Sequence, residues 1–355
     1  MKLKALRRFL KEPGGYRIVA GGAIVCLLAL ATLTGRVWTR YASDEMDLEN
    51  LLVPPSVHWL KKMLTTEEGL RIQERNRAGA RRAGEIGSAV GGVKDEDAEN
   101  LDFLNGGTTA DSQATASAMA GETAAKEAAA SHWLGTDKNG RDMLSLLVAG
   151  AKNCFLPGLT TCAVALGLGV PLGLLAGYYG GRFRSVVRII NGTILSLPRL
   201  VLILVVICAL APNIYTIMGV LGLAMVPRVS ELLATRVRIL SNMGFILAAK
   251  EGGLSDFKIL YRHLFWYQNR AVFFIQFSLI MAESILVETT LSYLQFGTKP
   301  PEVSWGNIIE GSQMSFFSGF YWITFFPAVA IILAILGFFY LGDGLNARLA
   351  HREGR

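Results

Sequence analysis

Four histidines, four cysteines and three charges set in or beside apolar runs are the residues of this chain with the most chemistry to offer. His58, His132, His263 and His351 are scattered along the sequence, and no cluster of metal-ligand spacing forms among them and the cysteines, so no metal site is expected. Cys26, Cys154, Cys162 and Cys208 fall in apolar stretches without a C-x-x-C pair, which suits packing rather than redox work. No G-x-x-x-x-G-K-[ST] phosphate loop occurs, so the chain is expected to be no enzyme and to bind no cofactor itself. The Gly-Gly pairs at 180–181 and 252–253 read as turns. Arg199 is different in kind. It follows Arg188 by eleven residues within an apolar run, about 16 Å along a helix, near mid-membrane depth for a spanning segment. A charge there is costly and faces a pathway or a partner, unless the span is shifted and the side chain snorkels. Glu283 and Glu288, together in a later apolar run, raise the same question.

The elements that must position these residues are membrane helices. Of 355 residues 52% are hydrophobic and only 18% charged, with a mean hydropathy of +0.38, too apolar for a soluble domain of this size. Only helices or closed barrels satisfy every backbone group in hydrocarbon, and a spanning helix needs about 20 apolar residues. The net charge of +7 does not point to nucleic acid, because the basic residues sit in short clusters flanking the apolar runs. The first run, 18–35, follows Lys2, Lys4, Arg7, Arg8, Lys11 and Arg17; it is too long for a signal-peptide core and is expected to be an uncleaved span behind a cytoplasmic segment, 1–17. Residues 36–144 are polar, and about 60–130 read as an inserted, disordered stretch. Five further spans are expected within 145–345: a charge-free run up to Gly181, apolar runs at about 186–211, 214–227, 271–294 and 316–341, and a break at Pro212-Asn213. Six spans put the Arg- and Lys-bearing stretches 182–188 and 236–270 and the tail from 346 on the cytoplasmic side, as the positive-inside rule requires.

Three separated stretches resemble the inner-membrane permeases of dipeptide, oligopeptide and nickel ABC importers, in particular the C-type member of the permease pair. The first is His132-Trp133-Leu134-Gly135-Thr136-Asp137 with Gly140-Arg141-Asp142 and Leu144-Ser145, similar to an external motif of that family. Read from the residues alone it is a tight polar turn leading into a helix. The second, 245–266, resembles the loop through which such permeases engage their ATPase, with Ala248, Ala249, Gly253, Ser255, Asp256, Arg262 and His263 at matching positions. Leu247 stands where the family has Glu and Trp266 where it has Pro. The third runs from Glu288 through Leu291-Ser292-Tyr293-Leu294, Phe296-Gly297, Pro300-Pro301 and Ser304-Trp305-Gly306-Asn307 to Leu341-Gly342-Asp343-Gly344-Leu345. An external re-entrant loop with Trp305 at the membrane interface is expected there.

The resemblance covers about residues 131–348 and implies an all-α polytopic protein with the six-helix type I importer permease fold. It implies a binding-protein-dependent importer subunit in a bacterial inner membrane, carrying peptides or a chelated metal such as nickel. Its implied partners are a B-type permease, two ATP-binding subunits that use ATP and Mg, an external solute-binding protein and the lipid membrane. A standalone secondary transporter or channel would instead predict internal repeats and several mid-membrane charges. A non-transporting structural subunit would keep the fold and lose coupling.

Overall fold

The computed structural model describes residues 14–38, 51–55, 71, 75, 132–210, 213–299 and 301–353. The expected cytoplasmic segment up to residue 13, His58 and nearly all of the expected insertion at 60–130 lie outside them. The described residues form helices α1 (Gly15–Trp38), α2 (Met143–Tyr179), α3 (Gly181–Leu195), α4 (Arg199–Leu210), α5 (Ile214–Ser241), α6 (Gly244–Glu251) and α7 (Asp256–Lys258). A π-helical segment, Ile259–Asn269, leads into α8 (Arg270–Tyr293), followed by α9 (Trp305–Gly311), α10 (Gln313–Phe317) and α11 (Trp322–Glu353). Among the described residues five helical stretches are long and apolar enough to cross a bilayer, and the bent pair α3–α4, counted as one span, makes six. The protein is an all-α polytopic membrane protein.

Where the sequence suggested one continuous span over 186–211, the chain turns by 78° between α3 and α4. Pro198 has no N–H to donate, and the last turn of α3 closes on itself through Ser196 N–H to Gly192 O at 3.0 Å. Conversely, the run that was expected to end at Pro227 continues as helix to Ser241. Pro227 is buried within α5, where neighbouring helices tolerate it. Asn213 starts this helix by accepting the Thr216 N–H on its side chain at 2.9 Å. The expected tail from 346 is a continuation of α11 as far as Glu353.

The chain divides into two compact units, one of residues 1–34, 149–307 and 328–355, the other of 35–148 and 308–327. In the first, α5 is the central helix, packed against α3, α4, α8 and the π segment. It meets α2 along Gly169, Gly173 and Gly177, which stand one turn apart. A Cβ at these positions would come within 2.8 Å of the Val229 side chain, 2.7 Å of Ser230 O and 2.7 Å of the Val237 side chain. Such close backbone approach is how membrane helices gain packing energy where hydrocarbon supplies no hydrophobic drive. On the other flank α1 lies on α11, with Gly337 against Ile24, Gly344 against Ile18, and Arg17 paired with Asp343. The Leu341–Leu345 stretch is thus a docking surface for α1.

In the second unit the turn 132–142 is held on itself and on residues 51–55. Thr136 N–H donates to Val53 O at 2.9 Å, Val53 N–H to Thr136 Oγ1 at 2.7 Å, and Leu52 N–H to Asp137 O at 3.1 Å. The described flanks of the expected insertion are therefore hydrogen-bonded to each other.

Candidate functional site

The stretch from Gly244 to Tyr267 folds into a helix–turn–helix with two unlike faces. Ile246, Ile259, Leu260 and Leu264 are buried against Val237, and Leu174, Leu175, Tyr178, Leu240 and Ala249 close the cluster. Burial of each such aliphatic side chain stabilises the loop by roughly 1.5–3 kcal/mol. The other face is apolar yet exposed, with Leu247, Leu254, Phe257, Tyr261, Trp266 and Tyr267 all turned outward. Phe257 is 75% exposed, and its ring stacks on that of Tyr261 at 6.2 Å with only 4° between their planes. Large apolar side chains grouped this way mark an interaction surface.

The turn between the halves is made by Gly252 and Gly253. Gly252 N–H returns to Ala248 O at 2.9 Å and Leu254 N–H to Ala249 O at 3.1 Å, closing α6. Gly253 takes φ +78°, a conformation that L side chains adopt only at a cost, although a Cβ there would meet nothing within 4 Å. Ser255 then caps α7 at its backbone. Asp256 ties the loop to the end of α2, accepting a hydrogen bond from the Tyr178 hydroxyl at 2.5 Å and one from Tyr179 at 3.3 Å. The Lys250 ammonium lies 4.7 Å from the centre of the Tyr178 ring. Ala248 and Arg262 are exposed, Ala249 and His263 half-buried, and the His263 ring lies beside Tyr267 at 6.0 Å.

The second candidate group, Leu134 to Asp142, is of the opposite kind. Asp142 caps α2, with Oδ2 accepting from Ser145 N–H and Oγ, each at 2.9 Å, while Oδ1 meets His132 Nδ1 at 3.0 Å. Asp137 Oδ1 accepts from the Asn139 and Arg141 N–H groups at 2.8 Å, and Oδ2 pairs with the Arg141 guanidinium. Gly135 (φ +83°) and Gly140 (φ +75°) let the chain turn, and Trp322 Nε1 donates to Thr136 O at 3.1 Å. His132, Thr136, Asp137 and Asp142 are buried. The polar groups of this turn serve one another.

The third group divides. Glu288, a candidate for facing a pathway or partner, is fully buried within the chain. Its carboxylate accepts from Ser292 Oγ at 2.7 Å, Cys154 Sγ at 3.0 Å and Thr298 Oγ1 at 3.2 Å, fastening the exit of α8 to α2. Trp305, expected at the membrane interface, is buried as well, edge-on to Phe155 at 6.3 Å. Glu283 and Arg199 do reach the surface of the chain, and they are paired. Glu283 also accepts from Arg228 at 2.9 Å, so one carboxylate sits between guanidinium groups from α4 and α5, each about half exposed. Arg228 escaped the sequence reading because Pro227 was read as the end of its span. With α5 unbroken it falls near the middle of a 28-residue helix. Among the described residues no His, Cys, Asp and Glu cluster of metal-binding form occurs.

Helices long and apolar enough to span a bilayer, joined by a structured loop with an exposed apolar outer face, define a polytopic membrane protein with a surface suited to docking. The chain belongs to the family of binding-protein-dependent transport system inner membrane components, whose pattern matches residues 169–354. It is similar to the probable D,D-dipeptide transport system permease protein DdpC of Escherichia coli K12, 30% identical over 225 residues, covering 63% of this chain and 75% of that protein. It is similar also to the dipeptide permease protein DppC of Bacillus subtilis, 31% identical over 220 residues, covering 62% and 68%. The glutathione permease protein GsiD of Pectobacterium atrosepticum is 28% identical over 218 residues, covering 61% and 72%. The chain is thus a multi-pass permease subunit of a binding-protein-dependent ABC importer.

Proposed function

We propose that this subunit carries peptides inward as the C-type partner of a B-type permease, together with two ATP-binding subunits and an external solute-binding protein. The observation that carries this is the 244–267 loop, whose inner face is locked to α2 and α5 and whose outer face of aromatic and aliphatic side chains lies open. Such a face suits a groove on a second protein, and its rigid attachment turns movement of that protein into movement of the spans. ATP and Mg act on the partner subunits, and this chain binds neither. The N-terminus and the 244–267 loop lie on the cytoplasmic side, in keeping with the arginines and lysines around them. Peptides are the cargo class because the relatives are named for dipeptides and glutathione.

Leu247 and Trp266, which depart from the family pattern, both belong to the exposed face, which favours an ATPase shaped for this permease. The 78° turn before Arg199 removes the depth read along one helix from Arg188. Arg228 and Glu283 nevertheless stand mid-way along spanning helices, so the Arg199–Glu283–Arg228 group lines the translocation pathway or the seam with the second permease, where water or protein lies beside it. Transport and assembly unchanged in Arg199→Leu would remove that assignment.

The experiment is ATP-driven uptake of a mixed peptide pool by proteoliposomes holding the co-purified complex and its solute-binding protein. Uptake and ATP hydrolysis are expected to rise together in the wild type. In Gly253→Leu, hydrolysis should persist with little uptake while insertion stays normal. Normal uptake by that variant would count against the coupling role.

A further inference from the structure

Helices α3 and α5 bring together a group of arginines that no part of the transport reading uses. Their register is fixed at two levels. Val187 is buried with Ala234 and Ala176, and one turn further along α3 Asn191 Nδ2 donates to Ser230 Oγ at 2.8 Å and Glu231 Oε1 at 3.1 Å. Numbers rise on α3 as they fall on α5, so the two run antiparallel, and the turn before Val187 meets the turn after Ala234. That level holds Arg184 and Arg238.

Arg238 and Arg188 put like charge near the Arg184 guanidinium, and Glu231 puts opposite charge there. Glu231 already accepts from Asn191. Arg184 Nε and Nη1 are buried and have no hydrogen-bond partner. Orphaned guanidinium donors with further positive charge beside them are costly, and an anion with several acceptor oxygens is the complement. The surface around them is not that of a soluble protein. Phe183, Val186, Ile189 and Ile190, interleaved with Arg182, Arg184 and Arg188 on α3, are all exposed. Apolar side chains next to clustered arginines at the end of a spanning pair match acyl chains lying beneath a charged headgroup.

We propose that the Arg184–Arg188–Arg238 cluster between α3 and α5 binds the phosphate of an anionic phospholipid. The lipid phosphate fills the donors of Arg184 and its acyl chains cover the exposed side of α3, steadying the helix that precedes the 78° bend.

The test is native mass spectrometry of the subunit with its co-purifying partners, released in mild detergent and supplied with equal phosphatidylglycerol and phosphatidylcholine. The wild type is expected to retain phosphatidylglycerol in preference. The Arg184→Gln/Arg188→Gln double variant should retain about thirtyfold less, from roughly 1 kcal/mol for each of the two arginines near a lipid surface. Equal retention of the two lipids, or unchanged retention by the variant, overturns the proposal. Displacement by inorganic phosphate would assign the cluster to a free anion and overturn it too. For the case of a variant that does not assemble, a photoreactive phosphatidylglycerol on the wild-type protein should label residues in 181–190 and 236–241. Labelling confined to other helices, or an acidic partner segment cross-linked there instead, contradicts it.

Discussion

The turn at 132–142 and the loop at 244–267 both carry stretches similar to family motifs, yet they spend their side chains in opposite ways. In the turn, polar groups point inward and satisfy one another, with His132, Thr136, Asp137 and Asp142 all buried. In the loop, polar groups such as Asp256 fasten the segment from behind, and large apolar groups are left outside. A recurring pattern in sequence therefore has two physical meanings. One kind caps the start of a helix; the other presents an open apolar surface, which the proposed function covers with a partner.

The comparison makes separable predictions. The largest effect is expected from Asp142→Ala. It removes the cap of α2, worth about 1–2 kcal/mol, and takes the Asp142 carboxylate away from the buried His132 ring, a further loss of about 1–3 kcal/mol. The folded subunit recovered from membranes should fall by more than about tenfold by fluorescence-detected size exclusion, and the little that folds should still hold its partners. Phe257→Asp should do the reverse. Folded yield should stay normal, while recovery of the ATP-binding subunits drops by about tenfold, the loss for one well-packed aromatic contact. Gly253→Leu comes next, because it forces a left-handed conformation at a cost of about 1–2 kcal/mol within the loop, leaving the subunit assembled but transport slow. The smallest effect is expected from Asp256→Asn. It weakens the tyrosine hydrogen bonds without emptying the site, and should lower uptake at saturating ATP less than twofold to threefold, as suits a loss of about 0.5 kcal/mol. Loss of partner binding in Asp142→Ala without loss of folding would erase the distinction between the two regions.

Much of this was legible in the sequence where the physics is local. Apolar runs of about 20 residues have few other fates, and the Gly252-Gly253 turn and the helix start at Asn213 follow from residue type. Prolines misled in both directions. Apolar residues continue on each side of Pro198, which hid the bend, whereas Pro227 is absorbed by the neighbours of α5 and breaks nothing. That one error concealed Arg228 and with it the meaning of Glu283. Contacts across the sequence were out of reach for the same reason. Nothing near Asp256 announces that Tyr178 will donate to it, and Glu288 looks like a free charge until Cys154, Ser292 and Thr298 are folded around it. The four-residue spacing of Gly169, Gly173 and Gly177 was visible, but not that Val229, Ser230 and Val237 would be its counterpart.

The most direct test of the account places a photo-cross-linking amino acid at Phe257 and, in a separate variant, at Trp133, which is 68% exposed on the other region. Each variant is irradiated in native membranes and the attached proteins are identified. The account predicts that the Phe257 position captures an ATP-binding subunit and that the Trp133 position never does. Capture of an ATP-binding subunit from Trp133, or none from Phe257 in a complex that still transports, would contradict it.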